Sequence, residues 1–209
     1  MRWTAVAGLI GLGSMMVCSG EANDANAAFR REFLEGFRRT ALNTTPGDAM
    51  MLRILVEARR AQRGVEVGAA DGYGAINMGI AFERTGGHLY SLEIDPGRVK
   101  AFRENVRKVG LEKSVTCIEG DALKTLPTLE GPFDFVFLDA VKSDYRKYLE
   151  LVEPKLAPGA VVVADNVIVS ARAMKDFLDY IQNSPSYDTV VIRASMEKND
   201  GMSVSYKVR

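Results

Sequence analysis

The sequence predicts an α/β fold: a doubly wound, seven-stranded, mostly parallel sheet whose last strand is antiparallel. Apolar runs rich in β-branched residues, such as 133–138 and 160–164, alternate with helical patterns, as is typical of parallel strands covered on both faces. A glycine-rich turn between the first sheet strand and a helix supports the same architecture. The last two strands flank Asn199-Asp200-Gly201, which indicates a hairpin and an antiparallel final strand.

The periodicity assigns each element in chain order. Strands are predicted at 65–67, 89–94, 114–119, 133–138, 160–164, 189–193 and 203–208. Helices are predicted at 28–39, from residue 46 onward, and at 75–83, 96–109, 122–126, 145–153 and 173–181. The second helix begins near Pro46, because Thr45 can cap it and proline suits a first helical turn.

Composition limits the classes of protein and of chemistry. A length of 209 residues suits one domain with a short appendage. The 27 basic and 27 acidic residues cancel, whereas a nucleic-acid-binding protein normally carries a basic surplus. Cys18 and Cys117 exclude a disulfide framework, and a single histidine, His88, nearly excludes Ser-His, Cys-His and His-ligated metal chemistry. Any base or metal ligand is therefore expected from Asp, Glu, Lys, Tyr or Asn.

Residues 1–27 predict a secretory signal peptide or a membrane tether, followed by a single domain at 28–209. Arg2 precedes an apolar stretch at 5–18, and Ala25-Asn26-Ala27 resembles a small-residue cleavage site. No apolar run reaches the ~18 residues that would span a bilayer. The alternative is a soluble extension. We therefore expect an exported or membrane-tethered protein, with a cytoplasmic location as the alternative.

A glycine-rich turn at 68–74 follows the first sheet strand and opens a helix. Its G-x-x-x-G-x-G spacing differs from the G-x-G-x-x-G of dinucleotide folds. The next strand ends in Glu93, whose carboxylate can accept hydrogen bonds from both hydroxyls of a ribose. Together these features predict a nucleoside-bearing cofactor without identifying it. The alternative is a tight strand–helix turn and a surface acid.

Polar side chains also follow the fourth and fifth strands of the predicted sheet. Asp139 ends one strand, and Asp165 and Asn166 end the next. The ends of these strands are neighbours, so two carboxylates and an amide oxygen form an all-oxygen set that suits Mg²⁺ or Ca²⁺. Lys142 lies one helical turn beyond Asp139 and can reach the same place. The alternative is that these acids only cap helices or loops.

This ordered set of motifs resembles that of the metal-dependent class I S-adenosylmethionine O-methyltransferases, the group that contains catechol O-methyltransferase and its bacterial relatives. The resemblance runs from about Thr40 to Arg209 and implies a Rossmann-like methyltransferase domain. It is carried by the segments at 65–73, 91–95, 119–122, 137–142 and 164–168. The glycine turn alone is a weak signal, whereas the ordered set with the metal trio is strong.

The resemblance implies a role for each matching residue. Residues that would contact S-adenosylmethionine are Glu66, Gly68 and Tyr73 at the methionine end, Glu93 at the ribose, Asp121 and Ala122 at the adenine, and Asp139. Asp139, Asp165 and Asn166 would bind Mg²⁺ or another divalent cation.

The substrate side of the site is implied in the same way. Lys142 would be the general base, and Glu197 would hold the second hydroxyl of a catechol-like substrate, with Asn166 and Lys142 also in contact with it. Residues 45–48 match the loop that closes over the cofactor. An aromatic hydroxyl has a pKa of roughly 10, so at neutral pH it reacts well only if a cation stabilises its anion.

Departures from the family pattern limit the substrate prediction. Animal catechol enzymes flank the ring with tryptophan and proline, whereas the matching positions here are Leu42, Val141 and Ser170, and a serine of the animal glycine turn is Gly74. We therefore predict methylation of a small vicinal diphenol, with no nucleic-acid partner, and leave open a homodimer. The alternatives are an NAD-dependent oxidoreductase and a catalytically silent nucleoside-binding domain.

Overall fold

The computed structural model describes the backbone of residues 12–208 and the side chains of residues 24–208. The chain divides into two compact units, Met1–Arg38 and Arg39–Arg209. Residues 1–11, the first part of the predicted signal-like segment, lie outside the described residues. Within residues 12–208, no helix combines the length and the apolar character that a membrane span requires.

In the part of the N-terminal unit that the structure describes lies helix α1 (Leu12–Glu35), whose bounds differ from the predicted helix at 28–39. It crosses the predicted boundary after residue 27 without a break and ends where Gly36 follows, since glycine favours helix termination. Phe29 and Phe33, one turn apart, stack with ring centroids 6.4 Å apart. Phe33 also contacts Phe37, beyond the helix end, at 5.7 Å, so the aromatic spacing continues where the helix does not.

The second unit contains a seven-stranded sheet in the order β3-β2-β1-β4-β5-β7-β6. The strands are β1 (Arg63–Val67), β2 (His88–Glu93), β3 (Val115–Glu119), β4 (Phe133–Leu138), β5 (Leu156–Ala164), β6 (Tyr187–Ile192) and β7 (Met202–Lys207). The first five strands pair in parallel, and β7 runs antiparallel to both of its neighbours. The predicted doubly wound sheet with an antiparallel last strand is therefore confirmed.

Six helices belong to this second unit. They are α2 (Pro46–Arg59), α3 (Tyr73–Thr85), α4 (Pro96–Lys108), α5 (Ala122–Thr125), α6 (Tyr145–Val152) and α7 (Lys175–Asn183). As predicted, Thr45 caps α2 and Pro46 occupies its first turn. Every residue of β4 is buried, which explains why the central strand reads as one continuous apolar run.

The connection between β6 and β7 comprises residues 193–201, so the predicted turn at 199–201 forms its last part. Asp200 is not a free turn residue. Its Oδ1 accepts hydrogen bonds from the backbone N–H groups of Ile168 (3.0 Å), Val169 (3.1 Å) and Gly201 (2.8 Å). The carboxylate thus ties this connection to the loop after β5.

Backbone hydrogen bonds align the ends of the three central strands. The N–H of Asp139 donates to the carbonyl of Val67 at 2.9 Å, and the N–H of Asp165 donates to the carbonyl of Leu138 at 3.0 Å. The residues that follow β1, β4 and β5 therefore lie side by side at one edge of the sheet. This edge carries the glycine turn and the predicted metal ligands.

Gly68 gives a test of this close packing. It has φ +90°, and a Cβ at this position would lie 2.2 Å from the carbonyl oxygen of Asp139. Gly86 has a similar φ of +76° but nothing within 4 Å of its Cβ position. We expect Gly86→Ala to cost about 1–2 kcal/mol of unfolding free energy from backbone strain alone, and Gly68→Ala to cost clearly more. Urea unfolding of both variants checks this, and equal losses would contradict the steric argument.

Candidate active site

A cavity of about 750 Å³ runs along the carboxyl ends of the five parallel strands. Its walls include the predicted site residues Gly68, Glu93, Asp121, Ala122, Asp139, Lys142, Asp165 and Asn166. The volume is typical of a site for a cofactor or small molecule. The topology therefore brings the glycine turn, the predicted ribose carboxylate and the predicted cation ligands to one cavity.

Three predicted site residues do not line this cavity. Glu66 is buried inside the sheet, and its Oε2 has no hydrogen-bond partner among the described residues. The ring of Tyr73 is also buried and lies under the guanidinium of Arg39, 5.6 Å from the ring centroid. Glu197 is half-exposed and accepts a 2.9 Å hydrogen bond from Arg39 Nη2. Arg39 lines the cavity, although the sequence did not suggest it as a site residue.

Glu93 is held in a fixed orientation at the end of β2. Its Oε2 accepts from the N–H of Ala70 at 2.7 Å, and its Oε1 accepts from the N–H groups of Ile94 and Asp95, each at 3.0 Å. The first of these bonds joins the carboxylate directly to the glycine turn. A carboxylate has about four acceptor positions, so about one remains on Glu93 for a hydroxyl group of a ligand.

Lys142 contacts the first predicted metal ligand. Its Nζ donates to Asp139 Oδ1 at 2.8 Å and to the hydroxyl oxygen of Tyr145 at 2.7 Å. Tyr145 is fully buried and its hydroxyl donates to the backbone carbonyl of Asp165 at 3.3 Å. Burial, with the charges of Asp139 and Asp165, raises the pKa of Tyr145 well above its ordinary value, so this phenol stays neutral. Tyr145 is therefore a neutral hydrogen-bond partner that holds Lys142 beside Asp139.

Lys198 contacts the second predicted metal ligand, and the sequence did not single it out. Its Nζ lies 2.6 Å and 2.8 Å from the two carboxylate oxygens of Asp165 and 2.8 Å from Asp48 Oδ2. Burial acts to lower the pKa of Lys198, but its hydrogen bonds to Asp165 and Asp48 outweigh this and raise it. Lys198 is therefore an ammonium group inside the cavity.

Asn166 has a left-handed backbone, with φ 61°, a conformation that asparagine adopts more readily than most residues. Its amide nitrogen donates to Asp200 Oδ2 at 3.0 Å. This bond fixes the amide so that its oxygen remains as the acceptor. Asp200, in the β6–β7 connection, thus orients Asn166, the third predicted ligand. The interpretation of residues 199–201 as a hairpin turn did not suggest this role.

The donor set fits a hard divalent cation. Burial and the nearby charge of Asp139 raise the pKa of Asp165, with Lys198 opposing them, as expected for two carboxylates in one cavity. A cation bound between them would relieve that repulsion. Within the described part of the chain, no group of three or more His, Cys, Asp and Glu side chains is arranged to hold a metal ion. The predicted ligand set contains two aspartates, and its third member is an asparagine.

The burial of Glu66 is expected to make the free energy of unfolding depend on pH. Burial raises its pKa from 4.5 to about 8, and the charges of Asp139 and Glu93 also raise it. Between these two values the folded chain keeps a proton that the unfolded chain loses, so stability falls as pH rises, by about 1.4 kcal/mol per pH unit. We expect Glu66→Gln to flatten this slope and the exposed control Glu112→Gln to keep it. Urea unfolding between pH 5 and pH 8 decides, and an unchanged slope in Glu66→Gln would refute the assignment.

The fold and the cavity define an α/β protein whose cavity, at the carboxyl ends of the parallel strands, contains carboxylates and lysines. The sequence profile described as O-methyltransferase matches residues 19–193. The chain therefore belongs to the O-methyltransferase family, as the motifs predicted.

Individual relatives agree with this assignment. The chain is 32% identical over 140 residues to a catechol O-methyltransferase of Niastella koreensis, covering 65% of this chain and 63% of that protein. It is 31% identical over 180 residues to a catechol O-methyltransferase of Mycobacterium tuberculosis, covering 80% of each. Among solved structures, the O-methyltransferase TomG from Streptomyces achromogenes in complex with SAM has a TM-score of 0.76 and 26% identity, with 90% of each chain covered.

Proposed function

We propose that this protein transfers a methyl group from S-adenosylmethionine to one hydroxyl of a small vicinal diphenol, in a reaction that requires Mg²⁺ or another divalent cation. The observation that carries the proposal is the single cavity that contains both Glu93 and the Asp139–Lys142–Asp165–Asn166 cluster. Relatives named catechol O-methyltransferase and a SAM-bound structural neighbour support the donor and the class of acceptor.

The cofactor would lie across the ends of β1, β2 and β3. Glu93 presents an oriented carboxylate to the ribose hydroxyls, and Asp121 and Ala122 line the wall where the adenine would lie. Gly68 allows close approach of the backbone because it has no side chain. The unpaired carboxyl oxygen of Glu66 is a candidate partner for the amino group of the methionine part, once the chain around it opens to the ligand.

Asp139, Asp165 and Asn166 would hold the divalent cation, with the amide of Asn166 kept in place by Asp200. When bound, the cation would act as a Lewis acid that makes the neighbouring hydroxyl more acidic. The same residues would then favour an acceptor with two adjacent hydroxyls, such as a vicinal diphenol, over a simple phenol.

Lys142 would accept the phenolic proton. Its contacts with Asp139 and with the hydroxyl of Tyr145 hold Lys142 Nζ beside the proposed cation ligands. The phenolic oxygen then attacks the methyl carbon of the sulfonium. A carbon–oxygen bond forms, the carbon–sulfur bond breaks with its electrons going to sulfur, and S-adenosylhomocysteine leaves as a neutral thioether.

The acceptor would enter at the rim of the cavity. Leu42 and Val141 line the cavity and are 56% and 57% exposed, so two medium-sized apolar side chains are available to contact an aromatic ring. Glu197 would accept a hydrogen bond from the second hydroxyl, after release from Arg39. A radiolabelled methyl-transfer assay on a panel of diphenols and their single-hydroxyl analogues tests this acceptor class. Equal rates for diphenols and simple phenols would contradict it.

A further inference from the structure

Lys198 occupies a position that the proposed divalent cation would also need. Its ammonium group contacts both carboxylate oxygens of Asp165, at 2.6 Å and 2.8 Å. Asp165 is almost fully buried, and the Lys198 side chain is only 21% exposed, so water does not replace this contact easily. An oxygen that accepts so short a hydrogen bond from a cation is not free to coordinate a second cation at full strength.

The same ammonium contacts a second carboxylate, which is not one of the predicted metal ligands. Asp48, in the first turn of α2, is completely buried, and its Oδ2 lies 2.8 Å from Lys198 Nζ. Asp48 Oδ2 also accepts a 2.8 Å bond from the hydroxyl of Thr45, while Asp48 Oδ1 has no hydrogen-bond partner among the described residues. A buried carboxylate without a counter-charge is costly, so Asp48 holds Lys198 in the cavity. Its unused oxygen can take a further hydrogen bond from the ammonium.

We propose that Lys198 is a displaceable internal cation of the divalent site: it neutralises Asp165 while the site is empty, and withdraws to Asp48 when the divalent cation binds. This inference rests on the proposed function, because it assumes that Asp165 is a cation ligand. The lysine prevents repulsion between Asp165 and Asp139 in the empty site. Each binding event must break the Lys198–Asp165 contact, so the lysine lowers the apparent affinity for the divalent cation.

Opposite effects of two substitutions test the inference. Mn²⁺ binding to the full chain, without cofactor or acceptor, is measured by calorimetry and by the loss of the free Mn²⁺ electron-spin signal. We expect Lys198→Met to bind Mn²⁺ about tenfold more tightly or better, because nothing must be displaced from Asp165. We expect Asp48→Asn to bind more weakly, because Lys198 then has Asp165 as its remaining carboxylate partner and leaves it less readily.

The controls separate a local effect from a general one. Lys147→Met removes an exposed lysine that pairs with Asp144, and its affinity should match that of the parent protein. The double variant Asp48→Asn/Lys198→Met removes both buried charges together, so it should fold even if Lys198→Met alone does not, and it should also bind Mn²⁺ tightly. Thermal unfolding monitors the fold of every variant.

The outcomes distinguish this inference from the proposed function. Unchanged or weaker Mn²⁺ binding in both variants that lack Lys198 overturns the inference, and leaves the methyl-transfer proposal standing if the parent protein binds Mn²⁺. Shifts of Lys198→Met and Asp48→Asn in the same direction overturn it as well. Absence of Mn²⁺ binding in the parent and in all variants overturns both proposals. The predicted opposite shifts support the inference even if the acceptor is not a diphenol.

Discussion

Replacement of Lys142 by methionine is expected to reduce the rate of methyl transfer by about 10²–10⁴-fold, the range that a general base normally contributes. Methionine keeps an unbranched apolar side chain of similar length but cannot accept a proton. The contact with Tyr145 is lost, yet Tyr145 keeps its bond to the Asp165 carbonyl, so the fold should survive. Single-turnover kinetics with saturating donor measure the effect.

The matched control is Lys147→Met. Lys147 lies five residues further along the chain, and its exposed ammonium donates a hydrogen bond to Asp144. It should leave the turnover rate unchanged. Affinity for S-adenosylhomocysteine should also be preserved in Lys142→Met, because Lys142 is proposed to act on the acceptor. If Lys142→Met retains the parent rate, the assignment of the base is wrong.

Replacement of Glu93 by glutamine is expected to weaken binding of S-adenosylhomocysteine by about 10- to 100-fold, since hydrogen bonds to a charged group contribute about 1.5–3 kcal/mol each. Glutamine has the same shape but no negative charge. Its amide nitrogen replaces one carboxylate oxygen, so the bond from the N–H of Ala70 is lost in one orientation of the amide and the bond from the N–H of Ile94 in the other. Calorimetric titration of the purified protein measures the affinity directly.

Glu119→Gln is the control for this substitution. Glu119 pairs in register with Glu93 on the adjacent strand β3, but it does not line the cavity. Its replacement should leave the affinity unchanged. NADH should not compete in either protein, because the glycine turn lacks the dinucleotide spacing. Equal losses in both variants would argue against a ribose-binding role for Glu93, and competition by NADH would favour the NAD-dependent oxidoreductase alternative.

The mostly parallel sheet could be predicted from the sequence because its central strands β1, β4 and β5 are buried on both faces. Such strands are read as continuous apolar runs, and the polar residue that ends each one marks the edge where ligands bind. Glu93, Asp139 and Asp165 were found in this way and all line the cavity. The roles of these residues in cofactor and cation binding were predicted from the resemblance to the family motifs.

The pair formed by Lys198 and Asp48 could not be predicted, for a physical reason. The two residues are far apart in the chain, and Lys198 lies in an irregular connection where no periodicity indicates the direction of a side chain. The segment was interpreted as a tight turn, whereas the carboxylate of Asp200 holds it against the loop after β5. Likewise, the spacing of the phenylalanines indicates a helix at 28–39 but not the residue at which that helix begins, which is Leu12.

The central claim is that one cavity joins a methyl donor to a diphenol through a divalent cation. The most direct test is transfer of a labelled methyl group from S-adenosylmethionine to catechol, first with EDTA and then after addition of excess Mg²⁺. We predict that EDTA abolishes transfer, that Mg²⁺ restores it, and that Asp165→Ala shows no restoration. Full activity in EDTA, or full activity of Asp165→Ala, would contradict the claim.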